Sequence, residues 1–213
     1  MARTKRKRLS KVKELPNVFN MESETMQSEI QNYFKSGNLF TLEIGCGHGD
    51  YSVELAKRFS KRNFVGIDVK GARIFRGAMK ALEESLYNIA FIVGRAEKLN
   101  ETFKSNSVEE IFILFPEPHF RRASHRRRLI SSGFLKIYRD LLIDSGTVHF
   151  KTDNKELFEY ALKEISKSGC KIIFSTENLY QEEVRKTHLE IVTTFEEHYI
   201  KEGRSIKYIC FRF

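Results

Sequence analysis

The chain has no tryptophan, and only three prolines and three cysteines in 213 residues. Cys46, Cys170 and Cys210 are odd in number and far apart, which excludes a disulfide framework and a paired zinc motif and leaves reduced, mostly buried thiols as the expectation. The longest run without Asp, Glu, Lys or Arg is the ten residues from Ser85 to Gly94. A membrane helix needs roughly 18 to 20 apolar residues, so no such helix and no membrane partner are expected. The basic N-terminus is followed by neither an apolar stretch nor a small-residue cleavage site, so it does not read as a secretory signal, and a cytoplasmic location is expected. No G-x-x-x-x-G-K-[ST] loop occurs, and His48, His119, His125, His149, His188 and His198 lie in no H-E-x-x-H or C-x-x-C context. Neither a P-loop nucleotidase nor a metal centre is expected.

What is present is a globular composition, 41% hydrophobic and 31% charged with 18 Phe and 8 Tyr, which excludes whole-chain disorder. The length fits one α/β domain with an extension. A basic, flexible arm is expected at residues 1–20 and a single domain at residues 21–213.

Lys and Arg number 37 against 28 Asp and Glu, and the excess sits in two places. Arg3, Lys5, Arg6, Lys7, Arg8, Lys11 and Lys13 precede the first acid, and Arg121, Arg122, Arg126, Arg127 and Arg128 fall within eight residues. With those twelve set aside the net charge of +9 becomes −3, so a near-neutral body carries two clusters suited to a polyanion. RNA or DNA is the implied partner. The N-terminal run reads equally as a solvated tail or a nucleic-acid arm, whereas five arginines concentrated inside a folded domain call for an anion to offset their repulsion.

Apolar spacing predicts strands over residues 39–44, 63–68, 89–93, 108–115, 146–150, 171–175 and 206–211. Between them it predicts helices over residues 50–59, 71–86, 129–142 and 154–168, with another over 21–33. Such alternation implies a mostly parallel sheet covered by helices on both faces. The polar stretch 176–204 has no readable pattern and falls near the edge where ligands bind.

Gly45, Gly47 and Gly49 follow the first strand of this pattern, and Asp68 ends the next strand, 19 residues beyond Gly49. Glycines let the backbone turn and approach a ligand, and a carboxylate at that place accepts hydrogen bonds from ribose hydroxyls. A nucleoside is implied. A dinucleotide fingerprint would have Gly or Ala where Asp50 stands, and Asp50 at a helix start competes for the amides and repels a diphosphate. S-adenosylmethionine has ribose and adenine, no phosphate and a cationic sulfonium and amino group, and it suits a loop flanked by Glu43 and Asp50. Further on, Pro116 and Pro118 fix the backbone around Glu117 at the same sheet edge, next to the arginines. Glu117 reads either as a partner of one arginine or as a carboxylate facing an acceptor base while the arginines hold phosphates. Tyr180, Phe195 and Tyr199 in the polar stretch are candidates to stack on an RNA base.

Leu42-Glu43-Ile44-Gly45-Cys46-Gly47-His48-Gly49, Gly66-Ile67-Asp68, Phe115-Pro116-Glu117-Pro118 with the basic run to Arg128-Leu129, His149-Phe150-Lys151-Thr152-Asp153-Asn154 and Thr193-Thr194-Phe195-Glu196 resemble, in order and spacing, the bacterial tRNA (guanine-N7)-methyltransferases. The resemblance implies a class I S-adenosylmethionine-dependent methyltransferase (Rossmann-like) fold and methylation of N7 of guanine-46 in the tRNA variable loop. By that resemblance Glu43, Gly45, Gly47, Gly49, Asp68 and Arg95 serve the cofactor, S-adenosylmethionine. Glu117 is then the acceptor-site and catalytic carboxylate, with Arg121, Asp153, Thr193 and Glu196 binding substrate and Arg122, Arg126, Arg127 and Arg128 holding the RNA backbone. Where the family carries Asp, Trp and an acidic or amide residue, this chain carries Glu117, His119 and Arg95. A non-catalytic RNA-binding protein that retains a donor pocket, and a methyltransferase for another substrate, remain the alternatives.

Overall fold

The computed structural model describes Arg8, residues 10–35, Gly37, residues 39–183 and residues 187–213. Among these, the strands are β1 (Val18–Asn20), β2 (Phe40–Ile44), β3 (Asn63–Asp68), β4 (Ile89–Val93), β5 (Val108–Leu114), β6 (Leu142–Thr152), β7 (Lys171–Thr176) and β8 (Lys207–Arg212). The α-helices are α1 (Met26–Phe34), α2 (Asp50–Arg58), α3 (Gly71–Glu83), α4 (Leu99–Thr102), α5 (Ser132–Leu141), α6 (Lys155–Lys167) and α7 (Thr194–Lys201).

The eight strands form one sheet in the order β1-β4-β3-β2-β5-β6-β8-β7. All neighbours from β1 to β6 pair in parallel, and β8 runs antiparallel to both β6 and β7. Successive residues of the central strands feed opposite faces. Val65, Ile67, Ile111 and Ile113 pack with α1, α5 and α6 through Ile30, Leu135 and Phe158. Phe64, Phe112 and Leu114 pack with α2 and α3 through Val53, Leu55, Ile74 and Ala78. Both faces of β2 to β5 are therefore covered, which is why those strands read as near-continuous apolar runs.

β2 pairs with β3 on one side and β5 on the other, so the strand order reverses at its carboxyl end and opens the crevice where α/β folds bind ligands.

Several boundaries moved. The helix expected from residue 21 begins at Met26, and β6 starts at Leu142, directly after α5, rather than at residue 146. β1 was not foreseen, because three residues carry no readable period. Of the expected arm at residues 1–20, residues 1–7 and 9, with Arg3, Lys5, Arg6 and Lys7, lie outside the described residues. Val12 is buried and β1 pairs with β4, so the sheet begins before residue 21. The unassigned stretch 176–204 contains tight turns at Leu179–Gln181 and Thr187–Glu190 and the helix α7. None of the three cysteines forms a disulfide, and Cys46 and Cys210 are buried. No described helix is long and apolar enough to cross a membrane.

Candidate active site

The loop after β2 is held in shape by its own amides. Gly45, Gly47 and Gly49 have φ of 77°, 57° and 74°, a region costly for any residue with a side chain. The N–H groups of Gly45 and Cys46 donate to the carbonyl of Ile67 at 2.8 and 3.0 Å, tying the loop to the end of β3. Gly47 N–H donates to Asp68 Oδ2 at 3.0 Å, and Lys70 N–H donates to Asp68 Oδ1 at 2.8 Å. Asp68 is thus fixed by two backbone donors and keeps lone pairs for hydroxyl groups. At Gly49 a Cβ would collide with the Phe91 ring, whereas nothing lies within 4 Å of a Cβ at Gly47. The backbone at Gly47 is open to a ligand.

Acids surround this loop. Glu43 is buried and accepts from the Ser52 amide at 3.0 Å and from the Ser52 hydroxyl. Burial pushes its carboxyl up to about 7; the two Ser52 bonds oppose the rise and the charges of Asp50 and Asp68 add to it. Asp50 opens α2, with Arg76 at 3.6 Å. A diphosphate would meet three carboxylates here, while a cationic ligand would be welcomed.

Two cavities lie along the crevice. One, of about 420 Å³, is lined by Glu43, Asp50, Asp153, Thr193, Tyr199 and Arg204. The other, of about 390 Å³, is lined by Ile67, Asp68, Lys70, Arg95, Glu97 and His119. Gly45, Arg73, Phe115, Pro116 and Glu117 belong to both, so the loop after β5 stands between the halves. Phe115 and His119 take φ of 49° and 46°, bracketing Pro116-Glu117-Pro118 with two non-glycine residues in the left-handed region. Glu117 is exposed and has no ion-pair partner among the described residues, so the alternative that it is tied to an arginine does not hold.

Arg128 explains how that loop is kept, and corrects its expected role on the RNA backbone. It is 1% exposed and donates from Nε to the Pro118 carbonyl at 2.8 Å and from Nη2 to the His119 carbonyl at 3.4 Å and Glu156 Oε1 at 2.8 Å. Its guanidinium lies 4.4 Å above the Tyr160 ring centroid. A planar group with five donors satisfies carbonyls that a turn through two prolines leaves unpaired. Arg121, Arg122, Arg126 and Arg127 stay exposed around the turn Arg122–Arg127, with no ion pair among the described residues.

Asp153 lines the larger cavity and accepts from Arg204 at 2.8 Å; Arg204 also pairs with Glu202 at 2.8 Å and lies 5.0 Å over the Tyr199 ring. Thr193 caps α7, its hydroxyl accepting from Glu196 N–H at 3.2 Å. Glu196 is the second correction. It is 0% exposed, lines neither cavity and spends its carboxylate on Lys151 Nζ at 2.9 Å, Tyr180 OH at 2.8 Å and Thr193 N–H at 3.5 Å. Tyr180 is consequently turned inward rather than offered to a base. Arg95 sits at the rim of the smaller cavity with its side chain 66% exposed and paired with Glu97 at 3.0 Å. Sequence reasoning passed over Arg73 and Arg204, which no local pattern marks: Arg73 lines both cavities, and Arg204 reaches the site through Asp153, 51 residues away.

Fold and site together define a Rossmann-like, class I methyltransferase. A family model described as a putative methyltransferase matches residues 37–209. The chain is 37% identical over 218 residues to the tRNA (guanine-N(7)-)-methyltransferase of Cytophaga hutchinsonii, covering 100% of this chain and 99% of the relative. To that of Christiangramia forsetii it is 38% identical over 197 residues, covering 92% and 86%. The chain belongs to the tRNA (guanine-N7)-methyltransferase family. Among solved structures, the 16S rRNA methyltransferase KamB matches with a TM-score of 0.67 at 15% identity, covering 88% of this chain and 94% of that one, a likeness of fold.

Proposed function

We propose that this chain transfers a methyl group from S-adenosylmethionine to N7 of a guanine in tRNA, guanine-46 of the variable loop, giving 7-methylguanosine in the cytoplasm. The observation that carries the reading is the meeting of the two half-sites at Glu117: an Asp68 half suited to a nucleoside and an Asp153 half flanked by free arginines.

The residues fit the donor. Asp68 would take the ribose hydroxyls, the open backbone at Gly45, Gly47 and Gly49 would allow close approach, Glu43 and Asp50 would face the positive end, and Arg95 would close the adenine side. When bound, S-adenosylmethionine supplies a methyl group on a cationic sulfonium. Guanine N7 has a lone pair and no proton at neutral pH, so the chain has no proton to remove and positioning dominates. Glu117 and Asp153 offer acceptors to the N1–H and amino edge of the base and stabilise the positive charge gained by the alkylated ring. Thr193 completes that wall. Arg121, Arg122, Arg126 and Arg127 hold the flanking phosphates.

The domain is taken as residues 21–213 together with β1, and the exposed Arg8, Lys11 and Lys13 extend the basic field. A Cβ at Gly71, which opens α3 just after Asp68, would touch Val12, so Lys11 and Lys13 flank the same sheet edge.

The test is methyl transfer from labelled S-adenosylmethionine to unmodified tRNA transcripts, with the product nucleoside identified by mass. 7-Methylguanosine that disappears when guanine-46 is replaced supports the reading; a different product, or an unchanged one, overturns it.

A further inference from the structure

We propose that Phe120 and Phe195 are the aromatic walls that receive the target guanine out of its stack, Phe120 from the loop after β5 and Phe195 from α7. This rests on the function proposed above and goes beyond it by naming what holds the base.

Both rings line the larger cavity, and both are among the few large apolar side chains left in solvent, at 65% and 57% exposure. Phe195 is braced from behind by His48 of the glycine loop, the two rings lying 6.5 Å apart at an interplanar angle of 18°. Phe120 makes no ring contact among the described residues, so its faces are free. Tyr199, the third aromatic of this wall, is already used: Arg204 covers it at 5.0 Å and Phe115 packs on it at 5.5 Å.

The surroundings select the ligand. The carboxylates of Glu117 and Asp153 open onto the same cavity, and the exposed arginines begin at residue 121, immediately after Phe120. Free aromatic faces, acceptors for a base edge and guanidinia for phosphates together match one extruded nucleotide. Chemistry at a base held within folded RNA requires that base to leave its stack. Aromatic rings return the lost stacking, and they do so without selecting the base; the carboxylates select it.

The absence of tryptophan makes the test direct, because Phe120→Trp places a single indole in the chain. Phe120→Ala and Phe120→Leu should each raise the KM for tRNA about 10-fold to 100-fold, the range that loss of one base–aromatic stack implies, with S-adenosylmethionine affinity unchanged. Phe120→Tyr and Phe120→Trp should recover most of that loss, which a purely apolar contact would not require. Emission of the Phe120→Trp protein should fall on binding unmodified tRNA and be restored when the target guanosine is replaced by an abasic residue. A wild-type KM in Phe120→Ala, or quenching indifferent to the abasic residue, overturns the proposal while leaving the methyltransferase reading intact. Failure of the wild-type chain to methylate tRNA overturns that reading instead.

Discussion

Lys151 and Glu196 face each other at 2.9 Å with both side chains at 0% exposure, joining the end of β6 to the first turn of α7. Tyr180 and the Thr193 amide share the same carboxylate. The pair therefore sets where α7 stands, and α7 with its cap brings Thr193, Phe195 and Tyr199 to the cavity.

Breaking this pair on one side should be costly. Lys151→Met leaves a buried carboxylate without its counter-charge, and a loss of about 3 to 5 kcal/mol in unfolding free energy is expected. The double variant Lys151→Met with Glu196→Leu should regain most of that stability in urea titrations. Its KM for tRNA should nonetheless be raised, because the contacts of Tyr180 and of the Thr193 amide to the Glu196 carboxylate are not restored.

Arg128 and its neighbours should separate cleanly. Arg122→Ala and Arg126→Ala are expected to leave stability unchanged, to weaken tRNA binding and to lower the slope of log affinity against log salt by about one each. Arg128→Ala should instead lower the melting temperature, since it strips donors from the Pro118 and His119 carbonyls. Thermal melts and tRNA titrations at several salt concentrations distinguish the two behaviours.

Glu43 carries a pH signature. Between its ordinary value of 4.5 and about 7 the folded chain keeps a proton that the unfolded chain has lost, so this residue's contribution to stability falls as pH rises through that window. Glu43→Gln, which mimics the protonated form, should match the wild type near pH 4.5 and exceed it by about 3 kcal/mol at pH 8. Binding of a cationic donor should favour the ionised form and release a proton. Calorimetry in buffers of different ionisation enthalpy would detect it, and Glu43→Gln would abolish it.

Glu117→Gln should keep donor affinity and lower kcat/KM for tRNA about 10-fold to 100-fold, the worth of a two-point contact to a base edge. Equal losses in donor binding and turnover would move Glu117 into the donor half. Glu117→Asp should retain most activity, since the loop geometry comes from Pro116, Pro118 and Arg128 rather than from the carboxylate itself.

Much of this was legible along the chain. The strands β2 to β5 are apolar runs because helices cover both of their faces, and that composition is local. The glycine loop was readable because Gly45, Gly47 and Gly49 recur at alternate positions directly after an apolar run, and Asp68 because it ends the next such run 19 residues beyond Gly49. β1 and α7 were not readable. β1 is three residues long, and α7 is a short helix set in a polar stretch, held by Lys151 from a strand more than forty residues earlier.

The sequence by itself determined the fold class, the glycine loop and the two basic clusters, because periodicity, glycine spacing and net charge are properties of neighbouring residues, and its ordered motifs marked the family. Only the tertiary structure decided which charges face outward. Arg128 and Glu196 sit in motifs that also hold residues lining the site, Glu117 and Thr193 among them, yet both are buried: one caps the carbonyls of a proline-rigid turn, the other pairs with a lysine that the sheet has removed from water. Burial depends on what packs opposite a residue, and no local pattern records it.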